Sequence, residues 1–222
     1  MSVSRIDSRP SRYIVVEGPI GVGKTALAKR LAEKMAADLV LEEDKENPFL
    51  ERFYREGKSA ALPAQMFFLF SRARQIEAFR QPDLFSNVRV ADYLFAKDAL
   101  FAELNLDQDE LMLYRQISEK LSVEPPVPDL VIYLQASVDA LMQRIARRGR
   151  EFERNFDRRY LERLTDAYAR FFHSYNEGPL LIVNASQIDP INNSQDFDRL
   201  YEQIEKTTGG RHFFNPAAAA LA

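Results

Sequence analysis

The residues best suited to chemistry begin near the N-terminus, in a glycine-rich run between an apolar segment and a helical one. The run fits the pattern G-x-x-x-x-G-K-[ST], with a chance glycine turn as the weaker alternative, and consists of Gly18, Pro19, Ile20, Gly21, Val22, Gly23, Lys24 and Thr25. Its glycines let backbone N–H groups turn around a phosphate, and the helix N-terminus adds partial positive charge. Lys24 can reach the β- and γ-phosphates of a nucleoside triphosphate, and the Thr25 hydroxyl can ligate Mg²⁺. Glu17, just before the run, can hold the loop through backbone N–H groups, which we favour over a catalytic role.

Arginine is concentrated in one later segment, which holds eight of them at positions 144, 147, 148, 150, 154, 158, 159 and 163. Arg144 and Arg148 are four residues apart and so share a helix face, and Gly149 then frees the backbone. This arrangement suits a lid that closes over phosphates and excludes water, because arginine matches the charge of a transferring phosphoryl group. The alternative is a solvated basic face paired with nearby acids, and we favour the lid.

Five short apolar runs alternate with segments of helical periodicity, which is typical of an α/β fold with a five-stranded parallel sheet and helices on both faces. The predicted strands are 13–16, 39–41, 88–91, 130–134 and 180–183. The predicted helices are 24–35, 48–55, 63–80, one from about 94, 108–121, 138–148, 157–175 and 196–206. We predict one domain at 13–208, between an N-terminal arm at 1–12 and a C-terminal tail at 209–222. The tail has the composition of a poorly ordered segment, although Phe213 and Phe214 offer two groups that could dock it.

Composition excludes several classes of protein. The 222 residues carry a formal net charge of -3, which gives no support to a nucleic-acid or membrane-surface binder. The absence of cysteine excludes a disulfide scaffold, a thiolate zinc site and a cysteine nucleophile, and two histidines are too few for a histidine-rich metal site. No apolar run approaches the ~18 residues of a membrane span, and the first twelve residues lack the apolar core of a signal peptide. We therefore expect a cytoplasmic protein.

A phosphate-binding loop occurs in kinases, GTPases, motors and transporters alike. A GTPase needs Asn-Lys-x-Asp after a strand, whereas the fourth predicted strand is followed by Gln-Ala-Ser-Val at 135–138. A motor or transporter ATPase needs a longer chain and a strand that ends in acidic residues. The third strand ends in Asp92, but Tyr93 follows it. The loop and the arginine segment together favour a kinase for a small acceptor.

With these motifs the chain resembles the deoxynucleoside kinases, and specifically their bacterial deoxyadenosine/deoxyguanosine kinase branch. The resemblance runs from about residue 12 to 206 and rests on four spaced motifs besides the loop. They are Glu-x-x-x-Glu-Asn-Pro from Glu42, Gln65 with Arg72 seven residues on, Asp92 with Asp98 six residues on, and Arg-x-x-x-Arg-Gly-Arg at Arg144, Arg148 and Arg150. The resemblance implies ATP- and Mg²⁺-dependent phosphoryl transfer to the 5′-hydroxyl of a deoxynucleoside in nucleotide salvage. It also implies a homodimer formed through helices that flank the sheet.

The resemblance makes Glu42 the general base, and physical reasoning supports this role. A 5′-hydroxyl is a poor nucleophile near pH 7, so a carboxylate must accept its proton as the P–O bond forms. Glu42 is predicted to lie at the carboxyl end of the second strand, on the ligand-binding edge of the sheet. Glu43 and Asp44 are adjacent alternatives that could equally form a solvated acidic turn.

Gln65, Arg72 and Asp98 together offer an amide, a guanidinium and a carboxylate for a nucleobase edge. Gln65 and Arg72 are two helical turns apart, within an apolar stretch where polar groups are costly unless they face a ligand or a partner. The alternative is an internal ion pair of Arg72 with Asp98, with Gln65 buried beside it. An amide pair suits adenine or cytosine, guanine could use the same trio if Arg72 turned to its O6/N7 edge, and thymine is the poor match. The resemblance to the deoxyadenosine/deoxyguanosine kinase branch then implies a purine preference.

The resemblance assigns the remaining site residues. It places Tyr54 and Glu153 at the sugar 3′-hydroxyl and Phe101 against the base, although the two aromatic residues could be core residues and Glu153 a counter-ion of the lid. Thr25 and Asp92 are the candidate ligands of Mg²⁺. Many family members have arginine after the acid of the third strand, where this chain has Tyr93. Without that arginine, the charge of the transferring phosphoryl group must be stabilised by Lys24, Arg144, Arg148 and, as a further candidate, Lys97. The resemblance also assigns Arg148 and Arg150 to ATP binding.

Two rival functions remain open at this point. A monophosphate kinase of the thymidylate kinase type needs an arginine for the acceptor phosphate rather than a general base, and Glu42 argues against it. A non-catalytic nucleotide-binding module that switches a partner needs no base at all. The segment 187–190, which follows the fifth strand, is a positional candidate for covering the ATP adenine.

Overall fold

The computed structural model describes residues 12–79, 88–121, 123–153 and 156–215. The predicted N-terminal arm, apart from Arg12, lies outside the described residues, as do the last seven residues of the predicted tail and Arg154 of the arginine segment. None of the described helices is long and apolar enough to cross a membrane.

The described residues form one six-stranded sheet in which every pairing is parallel. The strand order is β2-β3-β1-β4-β5-β6. The strands are β1 Arg12–Glu17, β2 Asp38–Val40, β3 Val88–Ala91, β4 Leu130–Gln135, β5 Leu180–Asn184 and β6 Arg211–Phe214. The α/β class and the first five strands are as predicted.

The sixth strand corrects the predicted count of five. It falls in the segment assigned to the tail, where Leu180 of β5 pairs with Arg211. In β6, exposed residues alternate with half-buried ones, as is usual at the edge of a sheet. Only Phe214 packs against the main core, while Phe213 is exposed. So short an edge strand has no continuous apolar run by which the sequence could reveal it.

Eight helices connect or follow these strands in the described residues. They are α1 Lys24–Met35, α2 Leu50–Glu56, α3 Ala61–Phe79, α4 Lys97–Asn105, α5 Gln108–Leu121, α6 Val138–Arg148, α7 Arg158–Ser174 and α8 Ser194–Lys206. Three begin at side-chain caps, because Ser137, Asp157 and Asn193 accept N–H bonds from the first turns of α6, α7 and α8. Gly149, at a φ of 70°, ends α6.

The core lies around the central strands, which are buried residue after residue because helices cover the sheet. Tyr133 of β4 stacks on Phe172 of α7 with 4.1 Å between ring centroids. Since β2, β3 and β1 are parallel neighbours, their carboxyl ends meet at one edge. The residues that follow them are therefore brought together there.

Candidate active site

The phosphate loop, residues 18–25, connects β1 to α1 and is held tightly against its surroundings. Gly21 has a φ of 84°, and a Cβ there would lie 2.7 Å from Cγ1 of Ile145. At Gly18, with a φ of 150°, a Cβ would lie 2.5 Å from the Leu134 carbonyl oxygen. Both positions therefore require glycine for space as well as for backbone conformation.

Two charged side chains stabilise this loop from inside. Glu17 is buried and accepts bonds from the N–H groups of Gly18 at 2.8 Å and Leu94 at 2.7 Å, and from the Tyr168 hydroxyl at 3.0 Å. The prediction that Glu17 holds the loop through backbone N–H groups is thus confirmed. Lys24 Nζ donates to the Gly18 carbonyl at 2.8 Å. Burial lowers the pKa of Lys24, and a neighbouring lysine, Lys97, lowers it further.

Asp92 connects the phosphate loop to the segment after β2. Its Oδ2 accepts a bond from the Thr25 hydroxyl, and its Oδ1 accepts one from the Glu42 N–H at 2.8 Å. Burial raises the pKa of Asp92. A hydroxyl and a carboxylate side by side are the hard oxygen donors that Mg²⁺ prefers, so these two residues fit the predicted metal role.

Glu42 is half-buried between two cations from different helices. Its Oε2 accepts a bond from Lys97 Nζ at 2.9 Å, and its Oε1 accepts bonds from Nε of Arg72 at 3.0 Å and from Nη2. Burial raises the pKa of Glu42, but Lys97 and Arg72 outweigh it and lower that pKa to about 2. Glu43 instead accepts bonds from Ser71 and Gln75 of α3.

A cleft of about 630 Å³ runs from the phosphate loop across this group. Its walls bring together many residues that the sequence placed in the site: Ile20, Gly21, Lys24, Thr25, Glu42, Tyr54, Gln65, Arg72, Asp92, Phe101, Arg148, Arg150 and Glu153. The other loop residues, Gly18, Pro19, Val22 and Gly23, do not line it. Asp98 and Arg144 are not among the described residues that line it.

Asp98 differs most from its predicted place. Its side chain is 1% exposed and pairs with Arg72, which realises the internal ion pair considered as an alternative. Gln65 is buried beside the pair and donates from Nε2 to the Asp98 carbonyl at 3.0 Å. Gln65 and Arg72 nevertheless face the cleft, so only Asp98 is withdrawn from it.

Two arginines of the predicted lid pair with carboxylates, whereas the third donates to backbone carbonyls. Arg148 makes a two-bond contact with the buried carboxylate of Glu153, at 3.0 and 2.6 Å, and Arg150 pairs with Asp44 at 2.7 Å. Arg144 instead donates to the carbonyls of Val22 at 3.2 Å and Ala185 at 2.7 Å. It therefore ties the phosphate loop to the segment after β5. Glu153 has the counter-ion contacts that the sequence allowed for.

Aromatic side chains form the wall between the lid and α4. Tyr54 stacks on Phe152 with 5.4 Å between centroids, and Phe101 meets Tyr168 edge-to-face at 6.2 Å. Both Tyr54 and Phe101 are only partly buried and border the cleft. They are thus in contact with the core and open to a ligand at once.

Several residues of the cleft were missed or underweighted by sequence reasoning. Lys97, which the sequence offered only as a further candidate for stabilising phosphoryl charge, is buried beside Glu42, and its Nζ lies 3.9 Å from Glu17. Asn105 donates to the Tyr160 hydroxyl at 3.4 Å, and both line the cleft. Asn105 follows Asp98 by seven residues on α4, and that spacing on one helix face was the available signal. Tyr93 is turned away, with its hydroxyl donating to Gln75 Oε1 at 2.6 Å.

The candidate adenine segment lies beside α1. Arg30 of α1 donates from Nη1 to the carbonyls of Pro190 and Ile191, both at 2.8 Å. A Cβ at Gly23 would lie 3.0 Å from Cδ1 of Ile191, so the residue that follows this segment lies close to the phosphate loop.

Comparisons with known proteins agree with this geometry. The family model for deoxynucleoside kinase matches residues 14–208. The deoxyguanosine kinase of Bacillus subtilis (strain 168) is 34% identical over 199 residues, which cover 87% of this chain and 96% of that protein. The deoxyadenosine kinase of Lactobacillus acidophilus is 29% identical and is covered to 95%, with 88% of this chain. A solved structure of deoxyadenosine kinase from M. mycoides with bound dATP shares the fold, with a TM-score of 0.75 at 23% identity over 87% of this chain and 99% of that one.

The phosphate loop, the carboxylate beside it, the arginine segment and the parallel sheet thus agree with a match over nearly the whole chain: the protein belongs to the deoxynucleoside kinase family.

Proposed function

We propose that this protein transfers the γ-phosphoryl group of ATP to the 5′-hydroxyl of a deoxynucleoside and prefers a purine. The observation that carries the proposal is that the phosphate loop and the carboxylate of Glu42 share one cleft. A phosphate donor and a hydroxyl acceptor can then meet with a proton acceptor beside them. The deoxyguanosine and deoxyadenosine kinases among the relatives support the purine preference.

In the proposed reaction Glu42 accepts the proton of the 5′-hydroxyl. With its pKa held low, Glu42 is ionised at neutral pH and is a weak base. A weak base suffices because phosphoryl transfer passes through a loose transition state, in which little charge has developed on the attacking oxygen. Oε2 of Glu42 accepts one described bond, from Lys97, so this oxygen can accept a second bond from the 5′-hydroxyl while both cations stay paired.

The donor phosphates would be held by the backbone of the phosphate loop, by Lys24 and by the lid residues Arg148 and Arg150. Mg²⁺ would be held by Thr25 and Asp92, directly or through water, and would neutralise charge on the triphosphate. Arg144 would serve the reaction by fixing the phosphate loop, since it donates to the Val22 carbonyl.

On the acceptor side, Gln65 and Arg72 would read the nucleobase edge against the ring of Phe101, with Asp98 holding them in place. Tyr54 and Glu153 would bind the sugar 3′-hydroxyl, which requires Glu153 to share its carboxylate between Arg148 and the substrate. Lys97 would supply the cation that arginine provides in many family members, because Tyr93 carries no positive charge and Lys97 lines the cleft beside Glu42.

We also propose that the protein is a homodimer. Apolar side chains remain exposed on α3 and α5, among them Phe70 at 47% and Met112 at 57%. A hollow of about 530 Å³, lined by Phe49, Met66, Phe70 and Leu121, lies on the same side of α3. Burying this face against a second copy would remove apolar surface from water.

Phosphoryl transfer from ATP to the four deoxynucleosides and to their monophosphates tests the function. We expect turnover with a purine deoxynucleoside and at least about tenfold lower kcat/KM with every monophosphate. Faster transfer to a monophosphate would favour the thymidylate kinase type of reaction. ATP binding without transfer to any of these acceptors would favour a non-catalytic module.

A further inference from the structure

Tyr114 of helix α5 does not line the cleft, but it contacts the group of residues proposed to bind the nucleobase. Tyr114 is 4% exposed, and its hydroxyl donates to Oδ2 of Asp98 at 2.6 Å. The other oxygen of that carboxylate, Oδ1, accepts a bond from Nη1 of Arg72. Each oxygen of Asp98 therefore has its own donor, which leaves the carboxylate a single orientation.

Asp98 in turn holds both groups that face the cleft at this end. Its carboxylate pairs with Arg72, and its backbone carbonyl accepts a bond from the Gln65 amide. Because Asp98 is buried and does not itself line the described cleft, its effect on a bound nucleobase must pass through these two neighbours.

The hydrogen bonds of Arg72 show which N–H groups of its guanidinium are already held by the protein. Three of its five N–H groups are used by described residues, two by Glu42 and one by Asp98. Two N–H groups remain for a ligand, together with one N–H and the carbonyl oxygen of the Gln65 amide. The orientation of the guanidinium determines which of its two remaining N–H groups meets which atom of the base.

We propose that Tyr114 is a positioning residue that determines base specificity: its hydroxyl orients Asp98, and Asp98 orients the guanidinium of Arg72 toward the nucleobase. The inference rests on the proposed function. Without the hydroxyl, Oδ2 of Asp98 is a buried charged acceptor that lacks a donor, which is costly. The free N–H groups of Arg72 are available to satisfy it, and the guanidinium then turns away from the base edge.

The test is Tyr114→Phe, which keeps the ring and removes only the hydroxyl. Tyr175→Phe is the matched control, because the Tyr175 hydroxyl is also buried but has no hydrogen-bond partner among the described residues. For both variants and the unchanged protein, kcat/KM is measured for the four deoxynucleosides at fixed ATP, together with KM for ATP and Tm.

In Tyr114→Phe we expect the kcat/KM ratio between the best and the second-best deoxynucleoside to fall by about tenfold, since polar groups left mismatched are what reject a wrong base. KM for ATP should change by less than about twofold, and Tyr175→Phe should keep the original ratio. An unchanged ratio in Tyr114→Phe would overturn the proposal. So would an equal loss for all four substrates accompanied by a lower Tm, because that pattern reports packing alone.

A failure of the proposed function can be distinguished from a failure of the role proposed for Tyr114. If the unchanged protein phosphorylates none of the four deoxynucleosides, the function is wrong, and the same comparison is made by calorimetric binding of the four. A loss of preference among their affinities in Tyr114→Phe would still support the role of Tyr114, and an unaltered preference would overturn it.

Discussion

At the scale of single residues, the site is organised by charge pairing more than by exposed reactive groups. Glu42 contacts two cations, Lys97 also approaches Glu17, and Arg72 also pairs with Asp98. This alternation of charges keeps several buried ionic groups compensated before any ligand arrives, which a cleft of low dielectric requires.

Glu42→Gln tests the proton acceptor. The amide keeps size and hydrogen bonding but cannot accept a proton, so kcat should fall by about two to four orders of magnitude while ATP still binds. Glu43→Gln is the control and should lower kcat by less than about tenfold, since Glu43 is bonded to α3. A fall of under about tenfold in Glu42→Gln would make Asp92 the candidate base instead.

Lys97→Met tests the buried cation beside Glu42. We expect kcat to fall by about ten- to a hundredfold, because charge on the moving phosphoryl group loses a partner, and Lys97→Arg should recover part of the loss. Exposed Lys34 of α1 supplies the control as Lys34→Met. Unchanged kcat in Lys97→Met would show that Lys24 and the lid arginines handle this charge without it.

At the scale of elements, the end of α6 and the turn at Glu151–Glu153 are joined by ion pairs and together make up the predicted lid. Gly149 ends the helix, and Glu153 then pairs back to Arg148 and approaches Arg150 at 3.7 Å. Farther along the arginine segment the pattern changes, because Arg158 pairs on the surface with Asp139 and Glu162. Arg158 thus matches the solvated-face interpretation, whereas the lid role of Arg148 and Arg150 stays a prediction.

Arg148→Ala should lower kcat by about ten- to a hundredfold with a smaller effect on nucleoside KM, because its charge matters most as the phosphoryl group moves. Steady-state kinetics at varied nucleoside and ATP concentrations measure this split. Arg158→Ala is the control and should leave turnover unchanged, since exposed pairs contribute little. Normal turnover with reduced stability in Arg148→Ala would return the lid to the solvated-face interpretation.

At the scale of the whole molecule, the ligand-binding edge of the sheet and the proposed dimer face are formed by two sets of elements that have α3 in common. The edge is formed where β1, β2 and β3 end, whereas the exposed apolar side chains lie on α3 and α5. α3 belongs to both, because it carries Gln65 and Arg72 toward the cleft and Phe70 toward solvent.

Analytical ultracentrifugation should give a mass near twice 25.6 kDa for the unchanged protein. Phe70→Asp should shift it toward the monomer, because a charge on the apolar face opposes its burial. Phe213→Asp, which changes an exposed residue on β6 at the far edge of the sheet, should leave the dimer intact. A monomeric unchanged protein would contradict the proposed assembly.

The sequence by itself determined the features that lie within short contiguous spacings. The phosphate loop, the lid motif and five of the six strands all follow from residues a few positions apart, because backbone conformation and helix faces are local properties. The class of reaction followed from these local motifs taken together with the family resemblance that they carry. Even the carboxyl-edge location of Glu42 and Asp92 followed from the order of strands and helices.

Only the tertiary structure decided which charged groups meet. The two cations of Glu42 stand 30 and 55 residues away along the chain, on α3 and α4. Asp98 could have faced the cleft or Arg72, and in the structure one of its oxygens pairs with Arg72 of α3 while the other accepts a bond from Tyr114 of α5. The strand β6 was hidden for the same kind of reason, since its half-exposed residues gain their pairing from β5 and not from their own pattern. Spacing along the chain determines which face of an element a side chain occupies, but its partner depends on how separate elements pack together.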